Sequence, residues 1–136
     1  MTQIVLCGHG HYGTSTLESI HMLAGNIDSY SAVDFTKEMD MNQLQAEIEK
    51  LLHAFKDETI LFICDIANGT PFKICCMETT MHANVYVLAG VNLAAILETV
   101  FGDKDDVHAL ISTMENVTKE SILSYPKNKA KVCGIV

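Results

Sequence analysis

Two loops concentrate the residues that could do chemistry. Gly8-His9-Gly10-His11-Tyr12-Gly13-Thr14 follows the apolar run Ile4–Cys7, and Asp65-Ile66-Ala67-Asn68-Gly69-Thr70-Pro71-Phe72 follows the run Thr59–Cys64. A histidine that donates one ring N–H to a carboxylate keeps its other nitrogen unprotonated, basic and nucleophilic. His9 paired with Asp65 would be such a nucleophile, and Asn68, Gly69 and Thr70 would supply donors around an anion. That combination describes a phosphoryl acceptor that needs no bound nucleotide. Two further readings compete for the first loop. Gly8-x-Gly10-x-x-Gly13, with Asp34 near the position of a ribose-binding acid, matches a dinucleotide fingerprint. Bulky histidine and tyrosine at the x positions oppose it. His9-x-His11 with Asp65 has metal-ligand spacing. Hydrolases with that motif, however, use a barrel of about 250 residues, which this length does not hold. A glycine-rich turn carrying an incidental surface histidine is the plain structural alternative.

These loops need a scaffold, and the hydrophobic pattern supplies one. Apolar runs of strand length (4–7, 32–35, 59–64 and 84–88) alternate with segments of helical period, the pattern of an α/β fold with a parallel sheet. Ser15-Thr-Leu-Glu18 has capping-box spacing and opens a helix that Gly25 stops. Leu44, Ile48, Leu51, Leu52 and Phe55 line one face of a second helix. Thr70 reads as a cap with Pro71 at the first helical position of a third. A fourth helix follows Asn92, and a fifth spans about residues 105–123, with Leu110, Ile111, Met114 and Val117 inward. Both chemical loops then sit beyond the carboxyl ends of strands, where such sheets bind ligands and where helix N-termini favour anions.

The chain has 136 residues, 49% apolar and 19% charged, which suits one domain, 1–136, divided into a core over 1–125 and a linker with a terminal strand over 126–136. Its β-rich end, Val132-Cys-Gly-Ile-Val136, could pair at its own sheet edge or on a second copy. A net charge of -8 argues against a general nucleic-acid or anionic-membrane surface. With no basic leader and no apolar stretch of about 18 residues, the expected location is the cytoplasm. Five cysteines (7, 64, 75, 76 and 133) without framework spacing read as reduced, mostly core thiols, and Cys75-Cys76 diverge on their helix. Asp103, Asp105 and Asp106 read as a solvated helix start, and His21, His53, His82 and His108 as surface residues.

Ile4-Val-Leu-Cys-Gly-His9-Gly, Asp65-x-x-x-Gly69-Thr70-Pro71-Phe72 and Val87-Leu-Ala-Gly-Val-Asn92-Leu, in that order, resemble the enzyme IIA component of the mannose-type sugar phosphotransferase system (PTS). The resemblance implies a doubly wound, mostly parallel four-stranded sheet with helices on both faces. It adds a C-terminal antiparallel strand, open to exchange within a homodimer. It further implies a phosphocarrier that takes phosphate from phospho-HPr on His9 Nε2 and passes it to enzyme IIB, with Asp65 orienting the ring. Gly10, Asn68, Gly69 and Thr70 are expected to bind phosphate, Thr70 standing for a usual serine and Asn68 for a frequent glycine. His11 takes a place often aromatic, and with Tyr12, Phe72 and Met39 or Met41 it forms an expected docking rim. No cofactor, metal or nucleic acid is expected, and membrane contact only through the permease components, which choose the sugar. A regulatory module sensing sugar supply, or a small nucleotide-binding domain, are the alternatives.

Overall fold

The computed structural model describes residues 1–127; the expected terminal strand over 131–136 lies outside them, as does Cys133. Four strands form one parallel sheet: β1 (Thr2–His9), β2 (Tyr30–Phe35), β3 (Thr59–Cys64) and β4 (Val85–Ala89), in the order β2-β1-β3-β4. The helices are α1 (Tyr12–Ala24), α2 (Met41–Ala54), α3 (Thr70–Met81), α4 (Leu93–Thr99) and α5 (Val107–Glu120).

Strand period two divides the core into two layers. Ile4 and Leu6 of β1, with Leu61 and Ile63 of β3, pack against Ile20, Ile96, Leu110 and Met114 of α1, α4 and α5. Val5, Cys7, Phe62 and Cys64 face the other way, onto Leu44 and Ile48 of α2 and Ile74 and Cys75 of α3. The sheet is therefore doubly wound, as expected. The first crossover moves from β1 to β2 across one face, and the next two move back across the other, since parallel crossovers are right-handed. The direction of winding reverses between β1 and β3, and the carboxyl ends diverge there. No helix among the described residues is long and apolar enough to cross a membrane.

Local chemistry at the helix ends departs from expectation twice. Helix α1 begins at Tyr12 with His11 at its N-cap and no cap bond from its own chain start, so Ser15 and Glu18 lie inside the helix and form no capping box. The cap comes instead from Asp34 of β2, which accepts from Thr14 N at 2.9 Å. A carboxylate across the sheet outcompetes the local Ser15 signal by meeting the same orphan donors. In α3 the N-cap is Gly69, so Thr70 is the first helical residue and Pro71, which needs no N–H partner there, the second. Elsewhere Asp40 and Gln43 build a reciprocal capping box on α2, Asn92 caps α4 by accepting from Ala95 N, and Asp106 caps α5. Gly25 ends α1 as expected, with φ +84°.

Candidate active site at the β1–β3 divide

His9 is the last residue of β1, and Asp65 directly follows β3, so the two flank the point where winding reverses. One carboxylate oxygen, Asp65 Oδ2, accepts from His9 N at 3.0 Å and lies 2.8 Å from His9 Nδ1. The other oxygen, Oδ1, accepts from Ile66 N at 2.9 Å. Burial opposes the charge on Asp65, but the His9 backbone and ring bonds and the Ile66 bond outweigh it and hold the carboxyl below its ordinary range. An ionised Asp65 requires a donor at Nδ1, which places the proton there and leaves the Nε2 lone pair free. The His9 side chain is 44% exposed and that of Asp65 only 18%, so the ring reaches solvent while its anchor is covered.

Glycine geometry makes this possible. A Cβ at Gly69 would stand 2.7 Å from His9 Cε1, so the α3 N-terminus lies against the edge of the ring that leads to Nε2. Asn68 just before it has φ +68°, a left-handed conformation that asparagine tolerates better than most residues. Gly10 also has positive φ (+60°), and its N–H donates to Phe35 O at 2.8 Å, turning the chain out of β1. The first-turn N–H groups of α3 lack intrahelical partners, and Thr70 adds a hydroxyl. Gly10, Asn68, Gly69 and Thr70 thus lie in the two turns that follow β1 and lead into α3.

Around β1 the pairing is repeated. His11 Nδ1 lies 3.1 Å from Asp34 Oδ2, and Thr14 Oγ1 donates to the same oxygen at 2.6 Å. Burial again opposes the charge on Asp34, and the Thr14 and His11 bonds hold its carboxyl low. The two histidines turn to different carboxylates, on opposite neighbours of β1, because the strand ends at His9 and the chain turns at Gly10 before His11. Asp34 is committed to Thr14 and His11 rather than to a ribose. Gly8 is filled space: an added Cβ would meet the Tyr12 ring at 2.6 Å and Asp65 Cγ at 2.8 Å.

The expected rim is uneven. His11 is exposed, Tyr12 is half-buried, and Phe72 and Met39 pack partly into the α2–α3 layer, while Met41 is exposed. Burial first, and then the Asp65 charge, push the Tyr12 phenol up to about 12, so it stays neutral beside Asp65. Sequence reasoning missed Phe35, whose ring lies 6.0 Å from that of His9 with a 58° tilt, and the true role of Asp34. Both end β2, and the parallel register pairs Gly8 with Asp34 and His9 with Phe35. Strand adjacency, once known, would have revealed them.

Comparison with known proteins identifies the family of the chain. The EIIA-man family model, described as the PTS system fructose IIA component, matches residues 3–117. A sorbose-specific EIIA component from Lacticaseibacillus casei is 26% identical over 119 residues, covering 87% of this chain and 86% of the relative. A fructose-specific EIIA component from Bacillus subtilis is 30% identical over 101 residues, covering 74% of this chain and 69% of the relative. Among solved structures, a mannose/sorbose-specific IIA subunit from Enterococcus faecalis shares the fold with a TM-score of 0.86 at 23% identity, covering 94% of this chain and 97% of that one. The chain belongs to the EIIA-man family, the mannose-type IIA components of the phosphotransferase system that serves sugar uptake.

Proposed function

We propose that this IIA component carries phosphate on His9 Nε2, taking it from phospho-HPr and giving it to enzyme IIB. The observation that carries this reading is the 2.8 Å contact of His9 Nδ1 with a carboxylate that also grips the histidine backbone. In transfer, the N–P bond on the donor histidine breaks as an Nε2–P bond forms on His9. The acceptor ring then bears positive charge, which the adjoining Asp65 carboxylate stabilises without moving. Phosphoryl transfer goes through a loose transition state and asks mainly for in-line placement and donors on the peripheral oxygens. In this scheme the Gly69–Thr70 turn and the α3 N-terminus supply those donors, with Gly10 and Asn68 shaping the approach.

Because phosphate arrives activated on nitrogen, no nucleotide or metal cofactor enters the scheme. The half-exposed ring suits a substrate that is itself a histidine on another protein, and two partners use the same face in turn. His11, Tyr12 and Phe72 are proposed to line that face. The active unit is proposed to be a cytoplasmic homodimer of this single domain. Incubation with enzyme I, HPr and phosphoenolpyruvate should place one acid-labile phosphate on the wild-type chain and none on His9→Ala. Stoichiometric labelling of His9→Ala overturns the assignment.

A further inference from the structure

Directly beneath the His9–Asp65 pair lies a cluster that phosphoryl transfer does not use. Cys7 and Cys64 are register partners on β1 and β3, and Cys75 comes down on them from α3. All three are fully buried, and their Sγ atoms all lie within 4.8 Å of one another. Cysteine often serves in cores as a small apolar residue. Three thiols from three separate elements meeting at one point form, in addition, a ready-made set of soft ligands.

We propose that Cys7, Cys64 and Cys75 form a three-sulfur site for a soft monovalent metal ion of the Cu(I) type. A metal about 2.3 Å from each of three coplanar sulfurs sets those sulfurs about 4.0 Å apart, so the present spacing closes on an ion with small movements. Thiolate sulfur selects Cu(I) and zinc among common ions. Structural zinc takes four ligands and catalytic zinc keeps a water. Among the described residues this cluster offers three ligands, and its full burial leaves no solvent position for the fourth.

Binding forms three Cu–S bonds and releases the three thiol protons to solvent, with no electron transferred. Since Cys7 lies two residues before His9 and Cys64 adjoins Asp65, the ion ties together the strand ends that hold the dyad.

The test uses a Cys76→Ser, Cys133→Ser background, which leaves only the three clustered thiols, titrated anaerobically with Cu(I) against bicinchoninate. One equivalent per chain should be withdrawn from the chelator, and adding Cys75→Ala or Cys64→Ala should weaken retention at least tenfold. No withdrawal by the background protein, or full retention by Cys75→Ala, overturns the site. X-ray absorption on the loaded background protein guards against a variant that fails to fold: three sulfur neighbours are expected, and oxygen or nitrogen ligation, or fewer sulfurs, refutes the proposal. Loading should be the same in His9→Ala, so the result is independent of the phosphoryl reading.

Discussion

Asp65→Asn isolates the electrostatic part of the site with almost no change in shape. The wild-type carboxylate accepts three bonds: two at Oδ2, from His9 N and His9 Nδ1, and one at Oδ1, from Ile66 N. An amide has one acceptor oxygen and one donor nitrogen. With its oxygen toward His9, the asparagine amine confronts Ile66 N–H, donor against donor. Turned the other way it satisfies Ile66, but its amine faces His9 N–H and donates to Nδ1, which moves the ring proton to Nε2 and blocks the nucleophile. Neither orientation restores the full charge that balances a cationic ring. A hydrogen bond to a charged group contributes about 1.5–3 kcal/mol, and each ~1.4 kcal/mol in the activation barrier is about a factor of ten in rate. Transfer from phospho-HPr should therefore slow by roughly ten- to a hundredfold, as read by rapid quench with labelled phosphate. Nitrogen-15 spectra of the imidazole should show the Nδ1–H tautomer of the wild type depleted in the variant. A variant that transfers within a factor of two of wild type, or keeps a pure Nδ1–H tautomer, removes Asp65 from the mechanism.

Gly69→Ala suits the backbone, whose φ is -80°, but its Cβ would press on His9 Cε1 at 2.7 Å. Displacing the ring by such an amount should cost up to ~100-fold in transfer rate, with the melting temperature nearly unchanged; an unaltered rate in the same quench assay counts against ring positioning by the α3 turn. Asp34→Ala removes the cap that α1 borrows from β2, and losing an N-cap costs about 1 kcal/mol, a fall of about 3–5 °C in thermal midpoint, while His9 still takes up phosphate. Asp34 has a folded pKa below its ordinary 3.8, so its contribution is complete above that value and fades as pH falls through the lower folded one. The difference in thermal midpoint between wild type and Asp34→Ala should accordingly shrink only below about pH 4; a difference that persists undiminished at pH 2 contradicts the cap being an ionised carboxylate.

Much of the architecture was legible in the chain because strand and helix periods are local properties. Thr59–Cys64 and the helix after Asn92 emerge almost at their expected limits, and the glycines around His9 mark a turn that packing alone does not ask for. Where expectation failed, a distant group won. The Ser15 capping signal yields to Asp34, 20 residues from Thr14 in sequence, because strand β2 delivers a carboxylate to the start of α1. The cysteines illustrate the same division: an apolar run implies that Cys7 and Cys64 are buried, yet only register and the docking of α3 bring them to Cys75.

By itself the sequence determined the alternation of elements, the two faces of each strand and the histidine-bearing loop proposed as the nucleophile's, since each follows from residue type and short-range spacing. Tertiary structure decided which carboxylate each histidine meets. His9 and Asp65 are 56 residues apart, His11 and Asp34 23 apart, and no local pattern encodes either distance. Placing β1 between β2 and β3 sets one acid on each side of it. That order arises from right-handed crossovers wound in opposite directions, a property of the whole sheet and not of any segment within it.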